Sequence, residues 1–164
     1  MNMFVNFIFA AFKAGTPLLF GTTGEILTEK AGNLNLGVDG MMYMGAFGGF
    51  YVGLKTGNLL LALLAAFAFG MGGALIYAFL TVTLKANQNV TGLTLTIFGT
   101  GFANFFGEMM IRNTPGGQPK LPAGLLNLLA ERPLLGDLQI PVLSKLLSTN
   151  PLVYLAIILA IVCS

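Results

Sequence analysis

A run of about 29 residues without a charge, 56–84, lies between Lys55 and Lys85 and constrains this chain more than any other feature. As a helix it extends roughly 43 Å, more than the ~30 Å hydrocarbon thickness of a bilayer. The composition has the same character throughout: 55% of residues are hydrophobic and 9% charged, where a soluble domain carries about 25% charged. The expected fold class is therefore all-α, a polytopic membrane helix bundle. The apolar stretch after Met1 runs through Lys13 and Gly15-Thr16-Pro17-Leu18 with no small-residue cleavage pattern, so it is expected to stay in place.

Several function classes lose their usual residues. The chain has no histidine and no tryptophan, which removes the standard members of zinc hydrolases, His-based proton relays and Ser/His/Asp triads. Cys163 is the one cysteine, so an internal disulfide framework is excluded and an apolar filler role is expected. Gly32 and Gly37 have the spacing of a phosphate loop, but Val38-Asp39 stands where Lys and Ser/Thr are required. No catalytic residue, metal site, cofactor or nucleic-acid partner is expected.

Charge clusters punctuate the apolar runs and suggest five spans, near 8–28, 40–54, 58–84, 90–111 and 150–164. Between the last two, residues 112–149 contain Pro115, Pro119, Pro122, Pro133 and Pro141 and form an external loop with room for one short helix. Counted by side, Lys55, Arg112, Lys120, Arg132 and Lys145 oppose Lys30 and Lys85. That count alone would make the first group cytoplasmic. Lys13 is the one cation expected inside a span.

Three groups inside or beside the spans invite interpretation. Gly45, Gly49 and Gly53, with Gly37 on the same four-residue ladder, make a face that another helix can approach closely. In the fourth span Phe98, Phe102, Phe105 and Phe106 fall on one side, suited to lipid or apolar neighbours, and Thr96, Thr100 and Asn104 on the other. That polar stripe suits either a substrate path or local bonding, with the threonines returning to their own helix carbonyls and Asn104 reaching across to a neighbour. The third group is Gly32-Asn33-Leu34-Asn35-Leu36-Gly37-Val38-Asp39-Gly40, irregular backbone that must be buried in protein or line water. Asp39 is expected to cap a helix beginning at Gly40-Met41, and Asn33, Asn35 and Asp39 are candidates for a broken segment in the path or for a cytoplasmic contact. Asn87 and Gln88, after Lys85, form the second polar turn, with helix capping as their plain role.

The residues Thr16-Pro17-Leu18-Leu19, Gly24-Glu25-Ile26-Leu27-Thr28-Glu29-Lys30-Ala31-Gly32 and Asn33-Leu34-Asn35-Leu36-Gly37-Val38-Asp39-Gly40-Met41-Met42 resemble ABC importer permeases of the nucleoside and simple-sugar type. The stretch from Leu80 through Lys85-Ala86-Asn87-Gln88 to Thr91-Gly92-Leu93 is similar to the turn before that family's fourth span. The resemblance implies a multi-pass subunit of the bacterial plasma (inner) membrane, importing nucleosides, or else sugars or branched-chain amino acids. It also implies ABC ATPase subunits, a second permease subunit and an extracytoplasmic substrate-binding lipoprotein as partners. It turns the 112–149 loop outward and both polar turns toward the cytoplasm, the reverse of the charge count. Residues 1–164 would then be the N-terminal part of one permease domain, because the family's ATPase-seating helix lies beyond Ser164.

Overall fold

A computed structural model of the chain describes residues 3–114, 119–129 and 151–163. They fall into two units, one drawn from Met1–Leu27 with Leu129–Ser164 and the other spanning Thr28–Leu128. Among the described residues the regular structure is entirely helical: α1 (Met3–Lys30), α2 (Val38–Thr56), α3 (Leu59–Ala78), α4 (Gln88–Arg112), α5 (Ala123–Leu129) and α6 (Pro151–Cys163). A π-helical turn, Phe79–Thr83, continues α3.

Local chemistry sets the helix ends. At the end of α1 the Gly32 N–H bonds to the Glu29 carbonyl and the Asn33 N–H to that of Thr28, a paired closure that requires the left-handed backbone Gly32 adopts at φ +83°. Gly57, at φ +64°, closes α2 by a bond to the Gly53 carbonyl. Immediately afterwards the Asn58 side chain accepts from the Leu60 N–H and starts α3. Asn87 does the same for α4, accepting from Asn89 and Val90.

The start of α2 differs from the expected cap. The helix begins at Val38 rather than Gly40, its N-cap is Gly37, and no side chain caps it. Asp39 lies in the first turn, already inside the helix, so its carboxylate is placed to favour the positive helix end but not to cap it. The shift has a physical cause: Asn35 Oδ1 accepts from the Gly37 N–H and makes the turn that launches α2 earlier.

In the larger unit α2 packs along α3 and, less extensively, on α4. Met41 of α2, Tyr77 of α3 and Leu95 of α4 form its buried centre. The α5 segment returns to the C-terminal end of α2. Its Leu125 is buried, Leu121 lies beside Gly53 and Pro122 beside Gly57. In the smaller unit Ala156 of α6 is buried, and Ala11, Gly15, Thr16 and Leu19 of α1 line an apolar cleft with Val153 and Ile157 of α6.

By length and composition Leu59–Thr83 is long and apolar enough to cross a membrane, and it is the one such helical stretch among the described residues. At 25 residues it reaches roughly 37 Å, enough for the ~30 Å core. Leu60, Phe67, Leu75 and Val82 along it are each more than half exposed. An apolar surface so continuous calls for lipid or another apolar partner. The expected external loop is described only through 112–114 and 119–129; its remaining residues, Pro133 and Pro141 among them, lie outside the described ones. The same is true of the Lys13 side chain.

Candidate functional site

The irregular segment between α1 and α2 is held from three directions. Gln88, the first residue of α4, accepts from the Leu34 N–H at 3.0 Å and donates through Nε2 to Asn33 Oδ1 at 2.9 Å. The Tyr77 hydroxyl, near the end of α3, donates to the Leu34 carbonyl at 2.6 Å. Further along α4, Thr96 Oγ1 donates to the Leu36 carbonyl at 2.8 Å.

Asn35 completes the arrangement from within. It is buried, accepts from Gly37, and its amide nitrogen lies 3.7 Å from the Met41 sulfur. Non-helical backbone packed between helices must find partners for its N–H and C=O groups. Here the side chains of Gln88, Tyr77 and Thr96 supply them, each bond contributing about 0.5–1.5 kcal/mol net. Gln88 and Asn33 are therefore bonded directly and Asn35 braces the same segment from within through Gly37, making a polar clamp around residues 33–37, while Asn87 caps α4 beside Gln88 and Asp39 lies in the first turn of α2.

Close backbone approach makes the clamp possible. A Cβ on Gly92 would lie 2.8 Å from the Leu36 nitrogen, and one on Gly37 would lie 3.1 Å from the Gly92 carbonyl oxygen. Gly40 and Gly99 touch backbone to backbone, with no room for a side chain on either. Along the other face of α2, Gly45 lies against the Ala66 carbonyl, Gly49 against Ala66 and Ala62, and Gly53 against Ala62. Gly45, Gly49 and Gly53 are thus occupied by α3 of the same chain, whereas Gly37, on the same ladder by spacing, faces α4 instead.

The two faces of α4 have different surroundings. Thr100 Oγ1 returns to the carbonyls of Thr96 and Ile97, as local bonding would have it. Thr96 does not return to its own helix but crosses to Leu36, and Asn104 is exposed with no hydrogen bond among the described residues. These are corrections to the local alternative for the stripe. On the opposite face Phe102 and Phe106 lie 5.8 Å from the Phe47 ring, and Phe102 lies 6.3 Å from Phe69. Phe98 and Phe105 remain more than half exposed. Beyond Phe106 the helix ends with Glu108 and Arg112, 3.6 Å apart and both largely exposed, a surface pair of small energetic weight.

Sequence reasoning missed Tyr77, the crossing role of Thr96 and the Gly40–Gly99 contact. The last left a signal: Gly92 and Gly99 stand seven residues apart, and Gly37 and Gly40 three apart, spacings that keep small residues on one helix face.

This arrangement binds helices and orders backbone; it holds no group of metal-ligating side chains among the described residues. Residues 7–164 match the family described as branched-chain amino acid transport system / permease component. The chain belongs to this permease family. The permease chain is 40% identical over 138 residues to a protein of Haloferax volcanii provisionally named a glucose ABC transporter permease. It is 32% identical over 151 residues to the guanosine ABC transporter permease of Bacillus subtilis. A nucleoside ABC transporter permease of Lactococcus lactis is 29% identical over 156 residues. These alignments cover 84%, 88% and 89% of the permease chain and 42%, 45% and 46% of the relatives. The chain thus spans less than half the length of these relatives. No solved structure matches it. Permeases of this kind are integral membrane proteins, which accounts for the exposed apolar length of α3.

Proposed function

We propose that this chain is a membrane-spanning permease subunit of an ABC uptake system that imports nucleosides. Substrate moves across the membrane at the expense of ATP hydrolysed by separate subunits, and the permease makes and breaks no covalent bond. The family match over residues 7–164 carries this reading. Two of the relatives that support the substrate are named for guanosine and nucleosides. The partners are ABC ATPase subunits, a second permease subunit and an extracytoplasmic substrate-binding lipoprotein, assembled in the bacterial inner membrane.

The clamp of Asn33, Asn35, Gln88, Tyr77 and Thr96 faces the cytoplasm, with Asp39 and Asn87 at its edge. Residues 112–114 and 119–129 face outward. Thr96, Thr100 and Asn104 border the substrate path; Thr96 is engaged with Leu36 and Thr100 with its own helix carbonyls, so the exposed Asn104 amide is the group of the three left to meet the substrate. In a variant with Cys163 replaced by Ser, a membrane-impermeant maleimide applied to intact cells should label Lys120→Cys and spare Asn87→Cys. The opposite pattern rejects this orientation.

Sugar import is the second reading, favoured by the relative named for glucose at 40% identity. Vesicles containing the permease chain with its ATPase, second permease and binding protein decide between them. ATP-dependent accumulation of labelled guanosine, unaffected by excess glucose, is the expected result. Accumulation of glucose instead would overturn the nucleoside assignment, and no ATP-dependent uptake of either would overturn the permease reading.

A further inference from the structure

At the end of the bundle opposite the clamp, α2, α3 and α4 line a half-open pocket of about 540 Å³. That volume falls inside the roughly 300–1,000 Å³ of small-molecule sites. Its wall is made by four phenylalanine rings from three helices: Phe47, Phe69, Phe102 and Phe106. Gly48 permits the arrangement, since a Cβ there would strike the Phe69 ring. Its polar lining residues, Tyr51, Lys55, Asn113 and Thr114, belong to the C-terminal part of α2 and to the residues that follow α4. Lys55 lines the cavity with its ammonium 6.0 Å from the centre of the Tyr51 ring, and Asn113 lines it from the C-cap of α4.

We propose that this cavity is an entry site for a planar aromatic heterocycle, the base of a nucleoside, with the pentose left toward the mouth. Ring walls recognise a flat π-surface whatever its substituents, as aromatic platforms do for nucleobases. A purine or pyrimidine also carries ring nitrogens and exocyclic oxygens at its edge. The Asn113 amide offers both a donor and an acceptor to that edge, and Lys55 offers a donor to a carbonyl oxygen. A free sugar has hydroxyls on every side and would leave most of them unpaired against four phenylalanines. The site lies at the end assigned to the outside, where a binding protein would deliver its cargo, so the inference rests on the nucleoside-permease reading.

Its test is photolabelling of the assembled complex with 8-azidoguanosine, followed by mapping of the labelled peptides. Label should fall on 47–55 and 102–113, and be displaced by guanosine but not by glucose. Label elsewhere, or displacement by glucose at equal concentration, overturns the proposal. Phe106→Ala should raise the half-saturating guanosine concentration for uptake roughly tenfold, by the usual worth of one stacked base. Asn113→Ala, an exposed change that leaves the ring cluster intact, should raise it about fivefold. If the unaltered complex imports guanosine and both variants do so at unchanged half-saturation, the cavity assignment fails and the permease reading stands. If the unaltered complex imports no nucleoside, the underlying reading fails with it.

Discussion

Gln88 and Asn33, 55 positions apart in sequence, are joined by a 2.9 Å hydrogen bond, and the other end of the Gln88 amide holds the Leu34 N–H at 3.0 Å. One side chain at the start of α4 thereby orders the connection between α1 and α2. Tyr77 and Thr96 hold the carbonyls on either side, at Leu34 and Leu36. A segment with two asparagines and three glycines between Gly32 and Gly40 is otherwise free to take many conformations.

Gln88→Ala removes both bonds and should cost about 1–3 kcal/mol. Gln88→Glu keeps an acceptor for Leu34, and the Asn33 amide can turn over to donate, so its loss should be less than half as large. Thermal unfolding in detergent, followed by circular dichroism, compares the two. Equal stability of Gln88→Ala and the unaltered chain would show that the bonds do not order the segment.

Glycine positions divide by what a methyl group would meet. Gly40→Ala drives a Cβ into the α4 backbone at Leu95 and Thr96, and Gly49→Leu drives a branched side chain into Ala62 and Ala66. Each should cost about 2–3 kcal/mol and disturb assembly. Gly72→Ala meets nothing within 4 Å and, as a helical Gly-to-Ala change, should be neutral or gain up to about 1 kcal/mol. The same unfolding assay ranks the three, and indifference to Gly49→Leu would mean that α2 and α3 do not approach this closely.

Thr96 and Thr100 separate structure from transport. Thr96→Val loses a bond between elements and should lower stability by about 1 kcal/mol. Thr100→Val loses bonds only to its own helix, so folding should be spared. Within the full complex, uptake in Thr100→Val should fall roughly fivefold if its hydroxyl meets the substrate. Normal uptake would remove this residue from the path.

Much of the helix pattern is legible in the sequence, because uncharged runs bounded by Lys55 and Lys85, and asparagines such as Asn58 and Asn87, mark helix bodies and caps by local rules alone. Asp39 shows where a local rule misleads. Its carboxylate suits a cap, yet the Asn35–Gly37 turn starts the helix before reaching it. The phenylalanine face of α4 is legible as a face, but not its division into Phe102 and Phe106 against Phe47 and exposed Phe98 and Phe105. That division depends on where α2 crosses, which helical periodicity does not encode. For the same reason the partner of Asn33 cannot be read from spacing: a bond across 55 residues is decided by the packing of α4 against the segment.

The most direct measurement is the composition of the complex that the affinity-tagged chain draws from its native membrane in mild detergent, read by mass spectrometry. Recovery of an ABC ATPase and a second permease in fixed proportion with the chain is the expected result. Recovery of the chain alone, or only of further copies of itself, would contradict its role as a subunit of an ABC uptake system.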